Sequence, residues 1–575
     1  MPKSNVKLSK VADLSDNKFK PSPTFNIELK WLVLSLILGY FYAGYIISFE
    51  FINSISNTAY LSDDMWQHFL GWNLFRYDQW FWPLTLTQRL QYPLPTSIVF
   101  TDSLPLLTIF LKLLSPVLPK IFVWDGILAI INSALQFYLA SKIFRSISSD
   151  LCFVLIGSLF LLFSSAMCNR FFNHYPLTSH WLILWSLYLI LKPNYSKSDF
   201  RQNLIIIFLA CGIHFYILSM CLALSAALFY KIGIKTKEWK TIIGIEIPLL
   251  LFVLWVSFYL YGYFTLVGSH GNGGWTLYST NLNSFINPEK YSLFFPGLPL
   301  IDSQGRESFQ YLGIGVIIAG ICAIINVVWL YPQYLKWQSI KISPFLLLIP
   351  ISIFLCIFSL STKIYLGSSL LFDITPWFTG SIWYSLFPAF RASGRMSWPV
   401  FYLLTITALL GCYNLLTHLK GKRFAHIIMS GLLILQIVEL IPLRNEIHAS
   451  IIANSKRPAW DAQFTNPWWQ NLGNYKNIIL LMNYNDTGNS PYPAYFTFGM
   501  LASKYGLTMN QFYLARGSSQ NVYQQIQDFA RGNWDSDGVY IVDSKLIEQI
   551  KQYNPSVLQY CKIIDDFNVC TKYWN

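Results

Sequence analysis

Long apolar runs recur along this chain, and they restrict its fold more than any other feature. They fall near residues 31–50, 120–142, 151–168, 179–192, 203–230, 241–262, 311–331, 343–360, 398–417 and 424–442. About 20 apolar residues, rising 1.5 Å each as a helix, cross the roughly 30 Å hydrocarbon core of a bilayer. Lipid offers the backbone no hydrogen-bonding partner, so spanning runs of this length must satisfy their own amides as helices. The run 203–230 is basic at both ends and too long for one crossing. It is expected to fold back near His214 as two shorter helices. The expected architecture is an α-helical polytopic membrane protein of about ten or eleven segments.

Charge orients this bundle. The sequence carries 41 Lys and Arg against 28 Asp and Glu, a net +13. No polar segment holds a basic stripe with stacking aromatics, so nucleic acid is not an expected partner. The cations collect instead at segment ends: Lys142 and Arg145; Lys192, Lys197 and Arg201; Lys231, Lys235, Lys237 and Lys240; Lys336 and Lys341; Lys420, Lys422 and Arg423. All lie on one side if the polar residues 1–30 form a cytoplasmic tail, as the positive-inside bias requires. That tail is too long and too mixed in charge for a signal peptide's basic region. Residues 31–442 then form the transmembrane domain of an inner-membrane protein, with long external connections at 51–119, 263–310 and 361–397. Aromatic, amphipathic stretches in them, such as 66–82, are expected to lie along the membrane surface. Such loops above a bundle imply a chamber at the outer face.

Residues 443–575 change character and read as a small α/β domain on the outer, periplasmic side. Residues 478–481 and 539–542 suit buried strands, and helical patterns fall near 518–531 and 544–552. Cys561 and Cys570 lie in strand-like runs separated by Asp565 and Asp566. A disulfide across a hairpin and two half-buried thiols both fit that spacing.

Side chains that could carry chemistry are concentrated in the first external loop, which opens Tyr60-Leu61-Ser62-Asp63-Asp64-Met65-Trp66-Gln67-His68. Adjacent carboxylates at a membrane surface cost solvation unless they meet water, a cation or a substrate. Ser62 or Asp63 also suits a helix N-cap, with Asp64 in the first turn. Asp64 and His68, four residues apart, share a helical face, so an acid and an imidazole would point together into the chamber. Such a carboxylate can accept a proton from a hydroxyl, and the pair Asp63–Asp64 permits a divalent cation, Mg or Mn.

An acidic pair just beyond the first membrane helix, in a long external loop, resembles the GT-C superfamily of membrane glycosyltransferases. More narrowly, the chain resembles an uncharacterised bacterial GT-C-like family. The stretches that carry this are Asp64-x-x-Gln67-His68-x-x-Gly71-Trp72 with Phe75-Arg76, Tyr92-Pro93, and Phe100-Thr101-Asp102-Ser103. Further on come Thr280-Asn281-Leu282-Asn283 with Asn287-Pro288, and Phe390-Arg391-Ala392-Ser393-Gly394-Arg395-Met396 with Trp398-Pro399. The resemblance implies transfer of a sugar from a polyprenyl-phosphate donor to a glycan or glycolipid acceptor at the outer face of a bacterial inner membrane. Asp64, or Asp63, would be the catalytic base, and His68 would orient the acceptor or balance charge. Asp102 would be a second carboxylate in the chamber, or else cap the helix expected near Leu104.

The leaving lipid phosphate needs cations where charge develops. Arg391 and Arg395, four apart, would stack on one helical face and offer guanidinium forks to it, or snorkel to lipid headgroups. Arg76 is a lesser candidate, alongside Arg89 and Lys363. The amides of Asn281 and Asn283 could bond sugar hydroxyls, and His214 could reach the chamber floor. His174 and His180 read as structural. The glycine-rich segment from Gly268 to Trp275 lacks a phosphate-loop pattern and reads as an external loop. Two other classes remain open: a lipid-linked sugar transporter or flippase, and a non-catalytic envelope-assembly protein with the same fold. The first would need charged or broken helices at mid-membrane and an internal repeat, and neither stands out.

Overall fold

A computed structural model describes residues 23–265, 274–330, 344–382, 384, 387–487, 490–515 and 520–574. The first 22 residues of the polar tail, Lys336 and Lys341, and most of the glycine-rich 268–275 segment lie outside the described residues.

Among the described residues, six helices are long and apolar enough to cross a membrane: Asn26–Ile46, Asp125–Ile147, Leu151–Phe171, Phe215–Thr236, Trp239–Leu260 and Ser393–Lys420. The helices Lys422–Glu439 and Ile441–Ser455 form a further candidate, bent by 42° where Pro442 opens the second helix. Proline cannot supply the amide that would continue the ladder, which accounts for the bend. Shorter apolar helices run Ile314–Val328 and Phe345–Leu360. The 203–230 run divides as its charge pattern predicts, into Lys197–Cys211 and Phe215–Thr236. His214 caps the second helix, its Nδ1 accepting the Tyr216 N–H at 3.1 Å. Asp125–Ile147 lies at the centre, packed on the first helix and on Leu151–Leu162 and Trp181–Leu191. Gly39 permits one of these close approaches, since a Cβ there would lie 2.7 Å from the Ala134 backbone. Small residues at such crossings are how helices pack where water provides no driving force.

The first long loop does not float on a membrane surface as its amphipathic pattern suggested. Its helix Asp64–Arg76 is buried along almost its whole length. It is wedged between residues 98–104 and the helix Ala494–Tyr505 of the C-terminal part. Gly71 sits beneath Thr101 and Ser103, and Gly499 faces Leu70; a Cβ at either would come within 2.5 Å of them. Polar residues on this helix find partners there rather than water. Gln67 Nε2 donates to the Tyr513 carbonyl at 2.8 Å, and Asn73 Nδ2 to Ser503 Oγ at 2.8 Å. Backbone bonds from Tyr92 to Met509 and from Ala515 to Phe100 continue the seam.

The C-terminal part carries a five-stranded sheet in the order Thr508–Met509, Asn477–Leu481, Gly538–Val542, Phe567–Cys570, Cys561–Ile564. The first three strands are mutually parallel, and the last two form an antiparallel hairpin. Helices Gln520–Ala530 and Ser544–Tyr553 occupy the stretches where helical patterns were expected. Asp565 and Asp566 turn the hairpin at φ 46° and 67°, a region Asp tolerates better than most residues. Cys561 and Cys570 are register partners and are disulfide-bonded. Alkylation of the denatured, unreduced protein should modify seven cysteines, rising to nine after reduction; intact-mass measurement checks this. Nine modified cysteines without reductant would refute the bond.

Candidate functional site

Segments far apart in sequence meet at one partly buried ionic network. Asp64 Oδ2 lies 2.8 Å from His174 Nδ1, and His174 Nε2 lies 3.3 Å from Glu307 Oε1. Glu307 Oε2 in turn pairs with the Arg395 guanidinium and approaches that of Arg170 at 3.5 Å. Asp64 comes from the first long loop, His174 and Arg170 from the stretch after Leu151–Leu162, Glu307 from the second loop and Arg395 from the third. With His174 protonated, two carboxylates face three cations, so the network keeps a positive excess.

Titration follows from that arrangement. Burial raises the Asp64 carboxyl, but the His174 imidazolium outweighs it and holds Asp64 below the usual carboxylate range. Burial likewise raises Glu307, and Arg395 with His174 pulls it well below. Burial disfavours the charged His174 ring, yet Asp64 and Glu307 lift it above its ordinary value. Asp102 goes the other way: burial, then the Asp64 charge, raise it.

Next to Asp64 is a small chamber lined by His68, Asp102, His174 and His214, with room of about 10 Å³, enough for one water. The backbone around it is strained. Asp63, Asp102, Leu104 and Asn173 all take positive φ, at 46°, 52°, 45° and 67°. Non-glycine residues pay for this, and such outliers cluster at functional sites. Leu104, not Asp102, occupies the N-cap position of Pro105–Leu113, so the Asp102 side chain is free to face the chamber. There it lies 3.8 Å from His214 Nε2. Asp63 does precede the helix, but its side chain caps nothing; it accepts from Asn173 Nδ2 at 2.8 Å.

Several expected site residues lie elsewhere or are already engaged. His68 lines the chamber, but its Nε2 is turned to Asp125 at 2.5 Å, and both side chains are fully buried. Arg76 is spent on the carbonyls of Ser115, Leu118 and Pro119, which tie off the end of the first loop. Asn281 donates to Gln304 and Gly367, and Asn283 to the Pro299 carbonyl. These amides lock the second loop to itself and to the third, rather than facing the chamber. Arg391 and Arg395 do not share a helical face: Arg395 lies in the 3₁₀ turn Ser393–Ser397, and Arg391 precedes it. Arg391 is exposed over the Tyr278 ring, at 5.1 Å from its centroid.

Glu307, Arg170 and Asn173 carry no motif in the sequence, and His174, isolated there, is a member of the network rather than a structural residue. One signal was present: Arg170 and His174 close an apolar run, where ionisable groups usually mark function. The C-terminal part also reaches the site, since burial and Asp64 push the Tyr513 phenol up to about 12.

The pair Asp63–Asp64 does not fit one divalent cation. Asp63 lines a separate, larger cavity and Asp64 the small chamber. Among the described residues no three His, Cys, Asp or Glu side chains converge as a metal-ligand group.

The fold and site thus define a multi-helix protein whose long loops and C-terminal α/β part enclose a charged chamber. Residues 36–441 match the model of a family described as a domain of unknown function, DUF6311, and residues 467–572 match the DUF6311 C-terminal domain. The chain belongs to the DUF6311 family. No curated protein matches it. Among solved structures it is similar to ArnT from Cupriavidus metallidurans in the apo state, at 9% identity and a TM-score of 0.43, over 96% of this chain and 98% of that one.

Two outcomes test the network. Glu307→Gln leaves Arg395 and Arg170 without their counter-charge and should destabilise the protein by about 3 kcal/mol, read as a lowered Tm in detergent. His174, held above its ordinary 6.5, contributes stability that is complete below that value and lost as pH rises through the raised one. Asp64 and Glu307, held below their ordinary 3.8 and 4.5, contribute stability complete above those values and lost in acid. The Tm gap between wild type and His174→Gln should therefore be widest from pH 4.5 to 6.5 and shrink as pH rises further, through the raised His174 value.

Proposed function

We propose that this protein is a membrane glycosyltransferase of the GT-C type. It transfers a sugar from a polyprenyl-phosphate-linked donor to a glycan or glycolipid acceptor at the outer face of the bacterial inner membrane. The N-terminus is cytoplasmic, and the C-terminal α/β domain is periplasmic. One observation carries the reading: Asp64 is kept ionised by His174 on a strained loop, inside a cluster with surplus positive charge. The sequence resemblance to the GT-C superfamily supports it.

In the proposed reaction Asp64 receives the proton of the acceptor hydroxyl. The hydroxyl oxygen bonds to the anomeric carbon, the bond from that carbon to the donor phosphate breaks, and its electron pair leaves on the phosphate. A carboxylate as acidic as Asp64 is a poor base towards a free hydroxyl. The hydroxyl becomes far more acidic as its oxygen bonds to carbon, so the proton moves late. Arg391 is exposed and not paired with a carboxylate in the way Arg395 is, and in this reading it is the cation that meets the leaving phosphate. Arg395 sets the charge of Glu307 and, through His174, of Asp64. His68, fixed by Asp125, shapes the chamber wall.

The chamber as it stands holds about one water, so substrates enter by separation of its walls. The test is the glycolipid and surface-glycan profile, by mass spectrometry, of a deletion strain carrying wild type, Asp64→Asn or Arg391→Ala at equal membrane levels. Wild type should restore a missing sugar, Asp64→Asn should restore none, and Arg391→Ala should lower it at least tenfold, about 1.4 kcal/mol of transition-state binding. Full restoration by Asp64→Asn would overturn catalysis by that residue.

A further inference from the structure

Beside the chamber lies a second, much larger space. It has a volume of about 570 Å³, within the range that holds small ligands, and opens to the outside. Three pairs of sequence neighbours form the partition. Asp63, Asn173 and Arg306 face the large cavity, while Asp64, His174 and Glu307 belong to the ionic network. Asn173 lines both spaces, so they adjoin there.

The lining is polar in a particular way. Lys290 and Glu446 neutralise one another across the rim at 2.8 Å. Arg306 lies over the Phe172 ring, 5.4 Å from its centroid. Beside that guanidinium, the carboxyl groups of Asp63 and Glu289 and the Ser450 hydroxyl face the space, while the Asn173 amide is bonded to Asp63 and Ser62. Burial pushes the Glu289 carboxyl up to about 7, against the pull of Arg170 and Lys290. Near neutrality it can therefore both donate and accept a hydrogen bond. Glu289 is also held at a positive φ of 51°, and its carboxylate lies against Gly305, where a Cβ would stand 3.0 Å away. Strain at this position continues the series that surrounds the chamber. Carboxyl, guanidinium and hydroxyl groups spaced around an open cavity match vicinal hydroxyls, and two carboxyl groups against one guanidinium disfavour an anionic ligand.

We propose that this cavity is a carbohydrate-binding subsite for neutral or amino sugars, holding the part of the glycan acceptor that lies beyond the reacting residue. The assignment rests on the glycosyltransferase reading for its role, though the binding itself does not require it. A sugar here sits one residue across the partition from Asp64, and Asn173 marks where an acceptor chain passes from one space to the other.

Calorimetric titration of the purified full-length protein in detergent tests this with three probes: methyl glucoside, methyl glucosaminide and methyl glucuronide. The first two should bind saturably and the glucuronide should not. Ser450→Trp, which fills the cavity from the helix Ile441–Ser455, should weaken binding at least tenfold, and Glu289→Gln about fivefold. Ser450→Ala, which removes one hydroxyl without filling the space, should weaken binding far less than Ser450→Trp, which separates filling of the cavity from loss of the hydroxyl. Absence of saturable binding by any glycoside, or equal binding in Ser450→Trp and Glu289→Gln, would overturn the subsite. No binding together with loss of product in Asp64→Asn cells would sink the subsite alone; saturable binding with product intact in those cells would sink the catalytic reading alone.

Discussion

The Glu307 carboxylate, paired with Arg395, Arg170 and His174, is the interaction on which the rest of this structure depends. Charges of this kind are expensive to take out of water, and removing one partner leaves the others uncompensated. Each therefore has to be in place for the others to be tolerated. Because the partners come from separate loops and from the end of a helix, satisfying one carboxylate fixes the relative positions of several segments. The amides of Asn281 and Asn283 act in the same direction, tying the second loop to itself and to the third through Gln304, Gly367 and Pro299.

The network also decides what the chamber can do. It holds Asp64 ionised through His174, and its three cations outnumber its two carboxylates. The strained backbone at Asp63, Asp102, Asn173 and Glu289 fits this arrangement.

The C-terminal part belongs to the site rather than standing beside it. Its helix Ala494–Tyr505 packs on Asp64–Arg76, and Tyr513 feels the Asp64 charge while its carbonyl receives Gln67. The burial of that first-loop helix follows from this contact. An amphipathic pattern reports that one face avoids water, but it does not say whether lipid or protein covers it.

Sequence alone determined the helical body, because long apolar runs have few other ways to satisfy their backbone. It also determined the break near His214, from a run basic at both ends, and, from local pattern, the strands Asn477–Leu481 and Gly538–Val542 and the helices Gln520–Ala530 and Ser544–Tyr553, but not the helix Ala494–Tyr505. Asp64 stood out because adjacent carboxylates beside a membrane demand a reason. Only the tertiary structure decided which groups answer Asp64. His68, four residues away, turns to Asp125, whereas His174 and Glu307, remote in sequence, complete the network. Arg76 and Asn281 looked like ligands by residue type, but became internal ties once the carbonyls and amides around them were placed. The physical reason is common to all of these: helical spacing and composition are local, whereas the partner of a buried charge is chosen by which distant segment the fold brings within a few ångströms.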